Sequence, residues 1–171
     1  MKIIHLIRHA KSSWKDGTLA DIDRPLNKRG KKSCRVMVKQ LVRSGCCFEH
    51  IFCSPAVRAQ ETIQGINKIL NLELRWQTNK ELYTFDSVVL LEWFRTLNDA
   101  VTEPLIIGHN PALTELCNTL RKNDTISNND ISNIPTCGYV QLCMDKDRPW
   151  RKLAEGSANL TVFLRPKKFM K

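Results

Sequence analysis

The chain has no long apolar segment, and this limits where the protein is expected to reside. None of its hydrophobic runs approaches the ~20 residues needed to cross a bilayer. The apolar run at 3–7 is too short for a secretory signal peptide, and Arg8 interrupts it. We therefore expect a soluble, cytoplasmic protein without a membrane partner.

Motifs that pair cysteines are also lacking, although the chain contains seven cysteines. Their number is odd, no C-x-x-C occurs, and Cys46 and Cys47 are adjacent, which is a poor geometry for a structural disulfide. No cysteine and histidine spacing resembles a zinc site, and no carboxylate pair clusters at a predicted strand end. We expect no metal or other cofactor, and buried free thiols where cysteines lie in apolar stretches, at Cys34, Cys53, Cys117 and Cys143.

Internal repeats, low-complexity tracts and linker-like segments are absent from the sequence as well. The hydrophobic fraction of 42% and the charged fraction of 26% are ordinary for a globular protein. A chain of 171 residues can bury roughly 70% of its unfolded surface. We expect one domain that spans 1–171.

Positive charge, in contrast, is in excess, with a net charge of +10. Much of it lies in 28–43, where apolar residues at helical spacing predict an amphipathic helix with an outward basic face. The charges of this segment are Lys28, Arg29, Lys31, Lys32, Arg35, Lys39 and Arg43, of which Arg35, Lys39 and Arg43 fall on the outer face. This face is interpreted either as a solvated surface or as a surface that attracts an anionic partner. No aromatic residues interleave with these charges as stacking platforms would, so a nucleic-acid partner is not expected.

The apolar pattern predicts alternating strands and helices. Strands are expected at about 2–8, 49–53, 72–76, 104–108, 139–144, 150–154 and 160–164, and helices at about 28–44, 55–70, 86–97 and 111–120. Ser54 and Pro55 are expected to cap and begin the second helix, Asp86 to cap the third, and Gly45 to follow the first. A loop is expected at 121–135 and a turn at 145–147. This order predicts an α/β fold, a single-domain three-layer sandwich with a mixed, mostly parallel sheet flanked by helices.

Three predicted strands end at side chains suited to a phosphoryl group. The first runs into Arg8 and His9, the second is followed by Arg58, and the fourth runs into His109. In open α/β sheets the functional crevice lies beyond the carboxyl ends of the strands, so we expect these four side chains to meet there.

The chemistry of the four side chains fits phosphoryl transfer without a metal. Guanidinium groups match phosphoryl oxygens with paired, charge-assisted hydrogen bonds. A neutral imidazole can attack phosphorus and become phosphorylated, and neighbouring arginines disfavour its protonated form. A second imidazole can hydrogen-bond the charge that develops on the transferring group.

Four segments in order, 8–14, 23–30, 54–62 and 107–111, resemble motifs of the histidine phosphatase superfamily, which includes phosphoglycerate mutases. The similarity is greatest to its short branch, the SixA-type phosphohistidine phosphatases, and weaker matches at 81–83 and 134–136 fall in order. The resemblance implies a phosphoglycerate mutase-like fold. It also implies that His9 is the nucleophile and that Arg8, Arg58 and His109 bind the phosphoryl oxygens.

Two further roles are suggested by the resemblance with less support from the sequence. Glu81 matches the position from which many relatives protonate the leaving group, although an exposed loop carboxylate is the alternative. Lys15 stands where mutase-like relatives carry a phosphate-binding asparagine, so Ser12 or a neighbouring residue is expected to take over that contact. Asp21, Asp23 and Arg24 lie in the long loop after the first strand. They are interpreted either as ordering the pocket through ion pairs or, for Arg24, as reaching the substrate, and they receive no catalytic assignment.

The expected function is a metal-independent phosphatase that works through a phosphohistidine intermediate. Between Glu81 and the fourth strand there is room for one helix only, so a large capping insertion is not expected. An open, shallow pocket suits a phosphorylated side chain on another protein, with phosphohistidine as the leading substrate. The alternatives are a phosphatase or mutase-like enzyme for small phosphorylated metabolites, or a non-catalytic basic protein that binds anions or nucleic acid.

Overall fold

The protein folds around one six-stranded sheet. The computed structural model describes residues 1–122, 130–144 and 147–170. Its strands lie in the order β3-β2-β4-β1-β5-β6, with bounds β1 Ile3–Arg8, β2 His50–Cys53, β3 Trp76–Thr78, β4 Pro104–Gly108, β5 Tyr139–Met144 and β6 Ala158–Leu164. The first four strands run parallel, and β5 and β6 are antiparallel additions at one edge. This confirms the predicted mixed, mostly parallel α/β sheet.

Helices cover both faces of the sheet. They are α1 Lys28–Arg43, α2 Val57–Leu70, α3 Ser87–Arg95 and α4 Ala112–Leu120. One buried apolar cluster joins the sheet to α1 and α2, and a second joins it to α3 and α4. The result is the predicted three-layer sandwich.

The predicted basic helix is α1, and its charges point outward. All seven of its lysines and arginines are exposed, while Cys34, Met37 and Leu41 are buried against the sheet and α2. Gly45 follows the helix with φ of +73°, a left-handed conformation that glycine adopts without strain. Within the described parts of the chain, no helix is long and apolar enough to cross a membrane.

The start of α2 differs from the prediction. The helix begins at Val57 rather than Pro55, and Ala56 is its N-cap residue without a side-chain hydrogen bond. The Ser54 hydroxyl accepts a hydrogen bond from the Ala56 N–H and also contacts the ring of His109. Ser54 therefore belongs to the functional site and does not cap the helix. Asp86, in contrast, caps α3 as predicted, because its carboxylate accepts from the Val88 N–H at 2.8 Å.

Two predicted strands are wrong. The third strand lies at Trp76–Thr78 rather than 72–76, since the chain leaves α2 through Asn71 in a left-handed conformation and reaches the sheet edge later. The segment 150–154 forms a short 3₁₀ turn, Trp150–Lys152. There the indole N–H of Trp150 donates to the Val101 carbonyl at 2.8 Å, so this buried ring is anchored to a loop and not to a strand.

The predictions for the buried cysteines and for the loop and turn in the C-terminal half have different outcomes. Cys34, Cys53 and Cys117 are buried as predicted, but Cys143 is only half-buried. The predicted loop 121–135 and the predicted turn 145–147 lie partly outside the described residues.

Candidate active site

The register of the sheet brings three strand ends to one level. Arg8 at the end of β1 pairs with Gly108 at the end of β4, and Cys53 at the end of β2 pairs with Ile107. The residues that follow these positions therefore leave the sheet side by side. They place His9, His109 and the first turn of α2 with Arg58 at the same edge, as the sequence predicted.

His9 and His109 lie against each other with Arg58 between their nitrogens. The two ring centroids are 5.1 Å apart. Arg58 Nε is 3.3 Å from His9 Nε2, and Arg58 Nη2 is 3.4 Å from His109 Nδ1. All three side chains are buried.

The ring of His9 has a defined tautomer. Its Nδ1 lies 2.7 Å from the Ala10 carbonyl oxygen, which can only accept a hydrogen bond, so the proton resides on Nδ1. Burial, together with the charges of Arg58, Arg8 and Arg24, lowers the pKa of His9 to about 4 against the opposing effect of the Ala10 carbonyl. At neutral pH the ring is uncharged, and Nε2 carries a lone pair.

His109 is held by a buried hydroxyl. Its Nε2 lies 2.7 Å from the Ser54 Oγ, and because a hydroxyl both donates and accepts, this contact accommodates either ring tautomer. Burial, together with His9 and Arg58, lowers the pKa of His109 to about 3, although Asp21 opposes the shift. This second imidazole is therefore also neutral at physiological pH.

Arg8 has one donor without a partner. Its Nη1 donates to the Ile134 carbonyl at 2.9 Å and to Asn133 Oδ1 at 3.3 Å. Its Nε is buried and, among the described residues, meets no hydrogen-bond acceptor. A buried guanidinium N–H without an acceptor beside two imidazoles is suited to an anionic oxygen.

Asp21 joins the arginines of the site. Its Oδ2 accepts from Arg58 Nη2 at 2.9 Å and from the Tyr83 hydroxyl at 2.7 Å. Its Oδ1 accepts from Arg24 Nη1 at 2.9 Å. The hydrogen bond from Tyr83 and the contacts with Arg58 and Arg24 lower the pKa of Asp21 to about 2, so this carboxylate is ionised and orients both arginines.

Arg24 is a site residue to which the sequence analysis gave no catalytic assignment, and its ion pair with Asp21 is one of the two alternatives that the sequence left open. Arg24 is buried, and its Nε donates to the Ser13 carbonyl at 3.1 Å while its Nη2 donates to the Ser12 hydroxyl. Ser12 thus lies at the site, but its hydroxyl holds Arg24. The i,i+3 spacing of Asp21 and Arg24 was the one sequence signal for their ion pair.

The cavity at this edge of the sheet has a volume of about 420 Å³. Arg8, His9, Ser12 and Arg58 line it, and His109 adjoins it through Arg58. Glu81 lies elsewhere: it is exposed and lines a separate groove beside α3 with Asn79 and Trp93. The structure therefore assembles five of the six predicted site residues and places the predicted general acid apart from them.

Two neutral imidazoles among three arginines, at the carboxyl edge of an α/β sheet, define a protein suited to bind a phosphoryl group. Residues 4–86 match the model of the family described as "Histidine phosphatase superfamily (branch 1)". This span contains Arg8, His9 and Arg58. An uncharacterized protein of Mycobacterium leprae is 30% identical over 169 residues, which cover 94% of this chain and all of that protein. The chain belongs to the histidine phosphatase superfamily.

Solved structures share the complete fold. The candidate phosphohistidine phosphatase SixA from Nakamurella multipartitia superposes with a TM-score of 0.79 at 20% identity, covering 96% of each chain. The protein histidine phosphatase SixA in complex with tungstate superposes with a TM-score of 0.77 at 21% identity, covering 98% of this chain and 99% of that one. At these identities the likeness concerns the fold, which is that of the SixA structures.

Proposed function

We propose that this protein is a phosphatase that hydrolyses phosphohistidine on other proteins through a covalent intermediate on His9. One observation carries the proposal. His9 presents a neutral Nε2 to a cavity lined by Arg8 and Arg58, and its Nδ1–H donates a hydrogen bond to the Ala10 carbonyl. That is the arrangement a nucleophilic imidazole needs to attack phosphorus.

The first step transfers the phosphoryl group to the enzyme. The Nε2 lone pair attacks phosphorus and forms a P–N bond, while the bond between phosphorus and the leaving group breaks. The leaving group departs with the electron pair and takes a proton from solvent. Arg8, Arg58 and His109 donate hydrogen bonds to the phosphoryl oxygens, where charge develops in the transition state.

The second step restores the enzyme. A water molecule attacks phosphorus of phosphorylated His9, the P–N bond breaks, and its electron pair returns to Nε2. Inorganic phosphate leaves, and the proton lost by the water passes to solvent. Because no group other than His9 changes its covalent state, the cycle requires no co-reactant except water.

The carboxyl groups near the site support phosphohistidine as the substrate. Asp21 is ionised, and both of its oxygens accept hydrogen bonds from Arg24, Arg58 and Tyr83. Glu81 lines a different groove. An imidazole leaves phosphorus more readily than an alkoxide does and therefore needs less help from a general acid. A site whose nearby carboxyl groups are engaged elsewhere is thus better suited to phosphohistidine than to an alkyl phosphate.

The open mouth of the cavity supports a protein substrate. Between Glu81 and β4 the chain forms one helix, α3, of nine residues, and Phe85, which lines the cavity just before this helix, is exposed. A side chain that projects from another protein can enter such a cavity without a lid having to move. The fold shared with SixA structures is consistent with this substrate class.

The proposal is tested by an activity panel that sets a phosphohistidine peptide against sugar, glycerate and nucleotide phosphates. We expect the highest kcat/KM for the peptide, and turnover at least about 1000-fold lower in His9→Ala, because the nucleophile is lost. Label from the phosphorylated substrate should appear on His9 in an acid-labile form.

Glu81→Gln is the matched control, since Glu81 lines another groove. It should leave hydrolysis of the phosphohistidine peptide within about twofold of the wild type. Undiminished turnover in His9→Ala would contradict the mechanism. A preference for small phosphate esters that depends on Glu81 would instead establish the small-metabolite alternative.

A further inference from the structure

Two large aromatic side chains stand exposed at the catalytic cavity. Trp14 has 76% of its surface exposed and Phe85 has 47% exposed, and both line the cavity together with Arg8, His9 and Arg58. Aromatic side chains of this size usually bury most of their surface. Exposed aromatic groups beside a charged cavity therefore indicate contact with a ligand.

Trp14 is held in place although it is exposed. The guanidinium carbon of Arg24 lies 3.2 Å from the centre of the Trp14 ring, which is a cation–π contact. Arg24 is itself buried and fixed by Asp21, Ser12 and the Ser13 carbonyl. The indole is thus positioned by the network that orients the phosphoryl-binding arginines.

Phe85 is positioned from the other side of the site. Its ring lies 5.6 Å from the ring of Tyr83 and 5.6 Å from the ring of His109. Tyr83 in turn donates to Asp21, and the next residue, Asp86, fixes the start of α3. Phe85 therefore packs against the catalytic groups, while about half of its surface remains exposed to solvent.

Two polar side chains that line the cavity, those of Asn110 and Asp21, already have partners. Asn110 donates to Asn133 Oδ1 at 2.8 Å and to the Ile134 carbonyl, and its own Oδ1 accepts from the Thr114 N–H. Asp21 accepts from three donors. A leaving group rich in hydroxyls would find these groups engaged, whereas a flat ring would find two aromatic surfaces.

We propose that Trp14 and Phe85 form a binding subsite for the ring of the leaving group, the imidazole of a phosphohistidine side chain. This inference rests on the proposed function and specifies how its substrate is recognised. The cavity of about 420 Å³ is within the range of pockets that hold small ligands, about 300 to 1,000 Å³. Ring pairs at offset or edge geometry attract one another beyond the area that they bury.

The test compares two phosphoramidates that differ in the ring. A phosphohistidine peptide carries the imidazole, and phosphoramidate itself carries only ammonia as the leaving group. In Trp14→Ala and Phe85→Ala we expect kcat/KM for the peptide to fall at least about tenfold through KM, because binding to the ring is lost. For phosphoramidate, kcat/KM should change less than about twofold. Trp14→Phe, which keeps a ring, should recover most of the peptide activity.

Val88→Ala is the matched control, since Val88 is 63% exposed but lines the separate groove. It should leave both substrates unaffected, and inhibition by vanadate should stay unchanged in all variants if the phosphoryl site is intact. Equal losses for both substrates, or no loss for either, would overturn the subsite while leaving the phosphatase mechanism in place. Turnover that persists in His9→Ala would instead refute the proposed function.

Discussion

Ser54 illustrates how one buried hydroxyl supports the proposed chemistry. It is fully buried and lies 2.7 Å from Nε2 of His109, and it also accepts from the Ala56 N–H at the start of α2. Without the hydroxyl, the His109 ring loses the partner that fixes its orientation. Ser54 is therefore a positioning residue that acts through His109.

Ser54→Ala should lower kcat/KM for an aryl phosphate by roughly 5- to 30-fold, because loss of a buried hydrogen-bond partner costs about 1 to 2 kcal/mol. Steady-state kinetics measures this effect. Ser157→Ala is the control, since the Ser157 hydroxyl is buried and, within the described residues, has no hydrogen-bond partner. Equal activities in the two variants would contradict the positioning role of Ser54.

At the scale of single residues, the sequence predicted those functional groups that directly follow strands. Arg8, His9 and His109 lie at or beside strand ends, and Arg58 lies in the first turn of the helix after β2. Asp21 and Arg24 could not be placed in this way, because a long loop with little regular structure carries them to the site. Ser54 was predicted as a helix cap, since the local pattern does not distinguish a cap from a contact with a distant ring.

At the scale of elements, the start of α1 is joined to the loop that follows His9. The Asn27 N–H donates to the Lys11 carbonyl at 2.9 Å, and Asn27 Oδ1 caps the helix by accepting from the Gly30 N–H at 2.8 Å. A Cβ atom at Gly30 would lie 2.9 Å from the Lys11 nitrogen and closer still to its carbonyl oxygen. Gly30 therefore permits the helix to approach the backbone of the catalytic loop.

Gly30→Ala and Gly65→Ala should have opposite effects on stability. Alanine in a helix is ordinarily more stable than glycine by about 0.5 to 1 kcal/mol. A Cβ at Gly65 in α2 would make only an ordinary contact, 3.5 Å from the Cys34 Cβ, so Gly65→Ala should raise the free energy of unfolding by that amount. Gly30→Ala should lower it by about 1 to 3 kcal/mol, because the backbone must shift. Urea denaturation measures both values.

The same pair of variants tests whether α1 positions the catalytic loop. A shift of the backbone at Lys11 displaces the residues between His9 and Ser12, so Gly30→Ala should also reduce kcat/KM at least about tenfold. Gly65→Ala should retain full activity. If Gly30→Ala were as active and as stable as the wild type, the close packing between α1 and the loop would be contradicted.

The prediction of elements succeeded where apolar spacing and a local signal agree. In α3 the periodic apolar residues coincide with the Asp86 cap, and β1 and β4 are apolar strands without an alternative interpretation. The segment 150–154 failed because Trp150 and Leu153 are buried by contacts with distant parts of the chain. Alternation of apolar residues indicates burial, but it does not identify the partner that buries them.

At the scale of the whole molecule, buried histidines couple folding to pH. His5, His9 and His109 are buried, and burial lowers the pKa of each, to about 4 for His9 and about 3 for His109. Contact with Glu103 partly opposes the effect at His5. In the unfolded chain these rings have the ordinary histidine pKa of about 6.5. Between pH 6.5 and 4 the unfolded state therefore binds more protons than the native state.

The free energy of unfolding should consequently fall as the pH is lowered from 7 toward 4. Each neutral buried histidine contributes a slope of up to about 1.4 kcal/mol per pH unit in this window, and the sum is comparable to the total stability of a small domain, about 5 to 15 kcal/mol. Asp21, with its pKa lowered to about 2, loses its stabilising contribution only below about pH 4, as the pH falls through its own pKa.

Urea denaturation at pH 7.5, 6.5, 5.5 and 5.0 measures the slope. His9→Gln, which cannot be protonated, should reduce the slope by about 1.4 kcal/mol per pH unit. A stability that stays constant from pH 7.5 to 5.0 would show that the native rings take up protons as readily as the unfolded chain does. It would remove the basis for a neutral nucleophile at His9.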